Sequence, residues 1–134
     1  MAERPGATGE SARAASGEGR LRVEARALVV GGDLVVSIWG GTGPHVGAAA
    51  LAVPYPSRER PGATSATSSV LTLLGHKDDQ VAKAAAERLA AAHGRTVVVT
   101  AGLHVDRASA DDIRALIAAA DRCVEQLIEH FAPG

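Results

Sequence analysis

Three short strings hold most of the residues able to do chemistry: GGTGPHVGAAALA at residues 40–52, SATSSVLTLLGHKDD at 65–79 and TAGLHVD at 100–106. Each places a glycine shortly before a histidine, and the last two place an aspartate shortly after it. Imidazole donates, accepts, titrates near neutrality and ligates metals. Glycine lets the main chain approach a ligand closely and adopt positive φ. In the first string Gly40, Gly41, Thr42 and Gly43 offer amides unobstructed by side chains, suited to an anion; an ordinary turn closed by Pro44 reads as well. In the second, Gly75-His76-Lys77 hands a strand over to a helix opened by Asp78 and Asp79. The aspartates suit the helix dipole, whereas His76 and Lys77 do not, so a ligand or partner is one explanation for them. In the third, His104 and Asp106 alternate about Val105 and share one face of an extended segment, so the carboxylate can orient the imidazole.

Two enzymatic readings follow less directly. A zinc site would draw on His45, His76, His104 and Asp106, yet none of these histidines pairs at a ligand spacing such as H-x-x-x-H. Ser68 and Ser69 lack the G-x-S-x-G surroundings of a nucleophile elbow. The glycine string has no Lys-Ser or Lys-Thr after it and leads into a strand rather than a helix, which excludes both the Walker and the dinucleotide-binding patterns.

The elements that must position these residues can be read from periodicity. Val23, Ala25 and Ala27 alternate with Arg22, Glu24 and Arg26, predicting a half-buried strand from Leu21. Gly31-Gly32-Asp33 marks a hairpin into a second strand over 34–39. A third strand spans 46–53, a polar loop with three prolines covers 54–66, and a fourth strand covers 68–74. Val81, Ala85, Leu89 and Ala92 predict a helix ended by Gly94. Thr96 to Leu103 reads as a central strand. Ser109 and Asp112 form a capping box for a last helix with the stripe Ile113, Leu116, Ile117, Ala120, Val124, Leu127, Ile128 and Phe131. The prediction is an α+β domain over 20–134, order β-β-β-β-α-β-α, with a mostly antiparallel sheet, two helices on one face, and a disordered tail over 1–19.

Composition narrows the function classes. The 134 residues fit one domain. Trp39, Tyr55 and Phe131 are the only aromatics besides histidine, so the core must be Val, Leu, Ile and Ala. Few large anchors, with the apolar stripe of the last helix, point to a homodimer. A net charge of −1 with acids and bases mixed along the chain argues against nucleic acid. No apolar run is long enough for a membrane span, and the N-terminal stretch does not read as a signal peptide. The single cysteine, Cys123, reads as a partly buried small hydrophobe, and a cytoplasmic location is the expectation.

The strings GGTGPHVGAAALA, GHKDDQVAKAAAERLA and VVVTAGLHVDRASADDI, in this order and with these gaps, resemble the prenylated-flavin chaperones, the small D-type (LpdD-like) partners of gallate-type decarboxylases. The resemblance covers most of the chain from about Val35 to Ile113. It implies a fold similar to small proteasome-assembly chaperones, often dimeric. It further implies binding of prenylated FMN, or FMN, and its protection or delivery to a UbiD-type (de)carboxylase without catalytic turnover. Under this reading Gly41, Thr42, Ser65, Thr67 and Ser68 supply phosphate donors, His45, His76 and His104 meet the ring's polar edge, Gly40, Lys77 and Asp106 complete the cofactor-binding set, and Trp39 is the one stacking candidate. The other readings are a divalent-metal enzyme built on the histidines and a purely structural assembly factor.

Overall fold

The structure is a computed structural model that describes residues 7–73 and 78–132. Its elements run β1 (Ser11–Ser16), a short 3-10 turn (Gly19–Leu21), β2 (Val23–Val30), β3 (Asp33–Gly41), β4 (Ala48–Pro56), β5 (Thr64–Thr72), α1 (Asp78–His93), β6 (Val97–His104) and α2 (Ala110–His130). The strands form one six-stranded sheet in the order β1-β2-β3-β6-β4-β5. Every neighbouring pair is antiparallel except β3 and β6, which run parallel. The α+β architecture, with its two helices and mostly antiparallel sheet, is as the sequence predicts, with one strand more at the front.

That strand corrects the reading of 1–19 as a tail. Residues 11–16 pair with β2 in full register, Ser11 opposite Leu28 and Ser16 opposite Val23. Ala12 and Ala14 are buried, and the carbonyl of Ala15 accepts from the Gln126 side chain of α2. The alternation there is Ala against Ser and Arg, too weak in hydrophobic contrast to stand out, but alanine is what fits beneath a closely packed helix. The proline-rich loop is also shorter than expected, because Pro54 and Pro56 belong to β4. β4 pairs with β6 only from Ala48 to Ala52, so these prolines lie beyond the reach of β6, where an absent N–H breaks no ladder.

Strict alternation puts one row of each strand into the core. Val23, Ala25, Ala27 and Val29 of β2 stand beside Leu34, Val36 and Ile38 of β3, then Val97, Val99 and Ala101 of β6 and Ala48, Ala50 and Ala52 of β4. α1 packs over β4, β5 and β6, and α2 over β1 and β2. The buried face of α1 is Asp78, Ala82, Ala85, Ala86, Leu89 and Ala90. It is rotated from the predicted stripe so that Asp78 turns inward and Ala92 outward. The apolar face of α2 is used inside the fold through Leu116, Ala120, Cys123, Val124, Leu127 and Phe131, while Ile113 and Ile117 stay exposed. Truncating a core side chain such as Leu89 or Ile38 to alanine is worth about 2–5 kcal/mol of stability.

Among the described residues the other sheet face carries no helix. Leu28, Val30, Val35, Leu51, Val53, Tyr55 and Leu71 are exposed there, with Trp39 half-buried among them. Among the described residues no helix is long and apolar enough to cross a membrane.

Candidate functional site

The parallel pair β3–β6 generates the site. Both strands end at the same edge, with Gly41 opposite His104. From there the chain diverges: β3 continues to β4 on the far side of β6, and β6 continues to α2 over β2. Such a divergence at strand C-termini opens a crevice where open sheets commonly bind ligands.

The route from β3 to β4 must cross β6, and glycines make room for it. The carbonyl of His45 sits where a side chain on Gly102 of β6 would be. Gly102 follows the core residue Ala101, so its bare side is the helix-free one, and the crossover lies on that face. Gly41 has φ +83°, and a Cβ there would run into the His104 carbonyl; a Cβ on Gly47 would run into the Asp78 carboxylate. A Cβ on Gly40 would stand 2.6 Å from the Arg22 carbonyl oxygen.

These contacts revise the anion cradle expected of the glycine turn. The amide of Gly41 donates to the Arg22 carbonyl at 3.1 Å, and those of Thr42 and Gly43 donate to the His104 carbonyl at 2.7 and 3.1 Å. The amides that sequence reading offers to a phosphate therefore hold β3 to its neighbours. The Thr42 hydroxyl accepts from the Asp106 amide at 3.1 Å, so Thr42 clamps the 104–106 segment from both ends. Past it, Arg107 has φ +54°, the sole non-glycine residue with positive φ among the described residues.

The two described histidines at this edge differ in kind. His104 is half-exposed, with Nε2 3.0 Å from Oδ1 of the well-exposed Asp106. The Asp106 carboxylate reaches the ring from two residues on, giving the contact that their alternation permits. His45 is turned inward: Nδ1 lies 2.9 Å from the Gly43 carbonyl oxygen and Nε2 lies 3.0 Å from Oδ2 of Asp78. The other oxygen of Asp78, which is 4% exposed, accepts the Leu103 amide at 2.9 Å. His45 thus ties the crossover to the start of α1, while His104 and Asp106 face solvent. Asp78 is the member the sequence undersells; reading it as a dipole-favouring residue misses that it is buried.

The remaining candidates lie apart. His76 and Lys77 fall outside the described residues, although they immediately precede Asp78. Ser65 and Thr67 sit toward the opposite end of β5, where Ser65 pairs with Tyr55, whereas the histidine edge meets β5 at Thr72. Seven residue steps of strand lead from Ser65 to Thr72, roughly 23 Å. Ser68 points to the helix side and donates to Glu87 of α1 at 2.8 Å. The metal reading finds no support: no group of three or more His, Cys, Asp or Glu side chains able to hold a metal ion occurs among the described residues.

The chain matches the prenylated flavin chaperone LpdD-like domain over residues 17–132, from just after β1 to the end of α2. No curated protein matches the sequence. Among solved structures, the fold is similar to a chain from a chaperone complex for yeast 20S proteasome assembly, with TM-score 0.57 and 13% identity. That similarity covers 91% of this chain and 98% of the other, and at that identity it speaks for the fold alone. With the family match running over nearly all of the described sheet and both helices, the chain belongs to the prenylated flavin chaperone LpdD-like family.

Proposed function

We propose that this protein binds prenylated FMN, shields it and hands it to a UbiD-type decarboxylase without altering it. The observation that supports this reading most is the pairing of family membership with the exposed His104–Asp106 pair at the β3–β6 edge. An imidazole held by a carboxylate and a threonine-clamped backbone presents a fixed hydrogen-bonding edge to a polar ring system. Exposure of both side chains suits a ligand that must leave again. Turnover asks for more: a tuned acid or base facing a reacting bond, or a nucleophile beside it. Cys123, the single thiol, lies on the buried face of α2, its thiol directed at the Val23 carbonyl.

A homodimer belongs to the same proposal, with its motive moved. Most of the stripe of α2, from Leu116 to Phe131 apart from Ile117, is consumed inside the fold, whereas the helix-free sheet face leaves Leu51, Val53, Tyr55 and Leu71 exposed on β4 and β5. A patch of this kind is what a second copy would cover. Light scattering at micromolar concentration should report twice the chain mass; a stable monomer would remove the dimer from the proposal.

The binding claim is tested by producing the protein together with a flavin prenyltransferase and recording its visible absorption after purification. A copurifying flavin-like chromophore that is depleted in a His104→Ala variant is the expected result. A colourless protein, from cells in which the prenyltransferase is active, contradicts the proposal.

A further inference from the structure

We propose that the helix-free face around Trp39 is a groove for a phosphorylated planar heteroaromatic ligand, with the indole as stacking platform and Arg13 and Arg26 as the phosphate clamp. The inference rests on the flavin-binding reading above and states where the flavin lies. Its need arises from the site itself. Among the described residues, the amides of Gly41, Thr42, Gly43 and Gly47 are committed to protein carbonyls, so this turn does not offer them to a phosphate.

The register supplies those donors elsewhere. Arg13 of β1 lies directly opposite Arg26 of β2, and Arg26 directly opposite Ser37 of β3. All three side chains belong to the helix-free row, since Ala12, Ala14, Ala25, Ala27, Val36 and Ile38 fill the core row. Like charges directly opposite each other across strands repel. The repulsion is unrelieved here: neither arginine makes an ion pair among the described residues, whereas Arg20 is held by Asp112, Arg88 lies by Asp121 and Glu125, and Arg114 by Asp111. The cavity lined by Arg13, Arg22, Glu24, Arg26 and Trp39 measures about 390 Å³, and its three arginines against one glutamate leave it cationic in a chain of net charge −1. Two adjacent guanidinium groups match phosphate oxygens well.

A second cavity of about 410 Å³ shares Arg26 and Trp39 with the first and is otherwise lined by Gly9, Ser11, Leu28, Val35 and Ser37. Trp39 therefore stands between a cationic and a more apolar compartment, each within the size range of small-ligand sites. Trp39 lies opposite Gly102, the residue over which the His45 carbonyl crosses. The crossover thus forms a lip beside the indole and brings Thr42 and His104 to the rim. Trp39 and the Arg26 row are two residues apart along β3, roughly 7 Å. That is the scale of the short polyol chain joining a flavin ring to its phosphate.

The chain contains a single tryptophan, so its fluorescence reports on this groove alone. The experiment titrates the full chain with FMN and, separately, with riboflavin, which lacks the phosphate. Expected is saturable quenching by FMN at concentrations at least about tenfold lower than for riboflavin. Arg13→Ala and Arg26→Ala should each collapse that preference without lowering the melting temperature, since each relieves the repulsion, and Arg26→Lys should restore part of the preference. Equal quenching by the two flavins, quenching that does not saturate, or full phosphate preference in both alanine variants overturns the groove. Two further arms separate this inference from the function proposal. If the parent and both alanine variants copurify with equal amounts of prenylated flavin, the groove is wrong and the function stands. If FMN quenches Trp39 in an arginine-dependent way but no chromophore copurifies, the groove stands and the function proposal fails.

Discussion

The Nε2 atom of His45 lies 3.0 Å from Oδ2 of Asp78, joining the loop that crosses β6 to the first residue of α1. Because Asp78 also takes the Leu103 amide, one buried carboxylate fastens three segments: the crossover, the end of β6 and the helix start. Replacing it by alanine strands an amide and an imidazole together. Asp78→Ala should lose about 1–3 kcal/mol in urea unfolding. His45→Ala should lose less, because the carboxylate keeps its amide partner and the vacated side admits water. A larger loss for His45→Ala would contradict this account of the knot.

Gly102 has no turn to make; it is glycine because another chain segment occupies its side-chain position. Gly102→Ala should therefore destabilise by about 1–3 kcal/mol through overpacking and shift the crossover. Gly43→Ala is the comparison, since the added carbon would meet the His104 side chain rather than backbone, its nearest atom a ring carbon at 3.0 Å. Matching chemical denaturation curves for the two variants would show that the crossing is not tight.

These glycines mark where sequence reading succeeds and where it stops. The capping box of α2 is legible because its residues are adjacent and its chemistry local: Ser109 accepts the Asp112 amide at 3.0 Å, and Asp112 accepts the Ser109 amide at 3.1 Å. The hairpin before β3 is legible for the same reason, with Gly31 at φ +59°. The parallel pairing of β3 with β6 is not, since periodicity says which face is buried and nothing of which strand lies alongside. Without that pairing, Gly41 looks like a ligand donor instead of room for the His104 carbonyl of a neighbouring strand. Ser65 and Thr67 look close in sequence to the end of β5, and the extended strand carries them away from the edge where β3 and β6 end. The sequence does bring His45 and His104 to one edge, because both follow strands that end there.

His93 gives a pH signature. Burial at the end of α1 lowers its pKa from the usual histidine range, a hydrogen bond to the Ile128 backbone offsets part of this, and the nearby Arg95 lowers it further. A histidine depressed in the folded state binds protons more readily when unfolded, so stability is lost as pH falls through the unfolded value near 6.5 toward the folded one. Urea midpoints measured from about pH 7.5 to 5.5 should fall for the parent and fall less steeply for His93→Gln. Parallel slopes would remove His93 as the cause. The carboxylates held low, Glu87 by Lys83 and Asp112 by the Ser109 amide, contribute only at more acidic pH, as those carboxylates protonate.

Cys123 should be inert in the native protein. It is fully buried, its thiol reaches toward the Val23 carbonyl, and burial pushes its pKa up to about 11. The thiolate is the reactive form, so thiol reagents at neutral pH should label it only on unfolding, and the labelling rate should track denaturant. Rapid native labelling would mean that α2 opens away from the sheet far more readily than its packing implies.

Delivery is the central claim, and one assay addresses it directly. Purified protein loaded with prenylated FMN is mixed with an apo-decarboxylase of the UbiD type, and decarboxylase activity is followed alongside the mass of the flavin. The account predicts faster or more complete activation than free prenylated FMN gives, with the flavin mass unchanged and the chromophore lost from this protein as it appears on the enzyme. Activation no better than with free cofactor, or a flavin chemically altered by this protein alone, would contradict it.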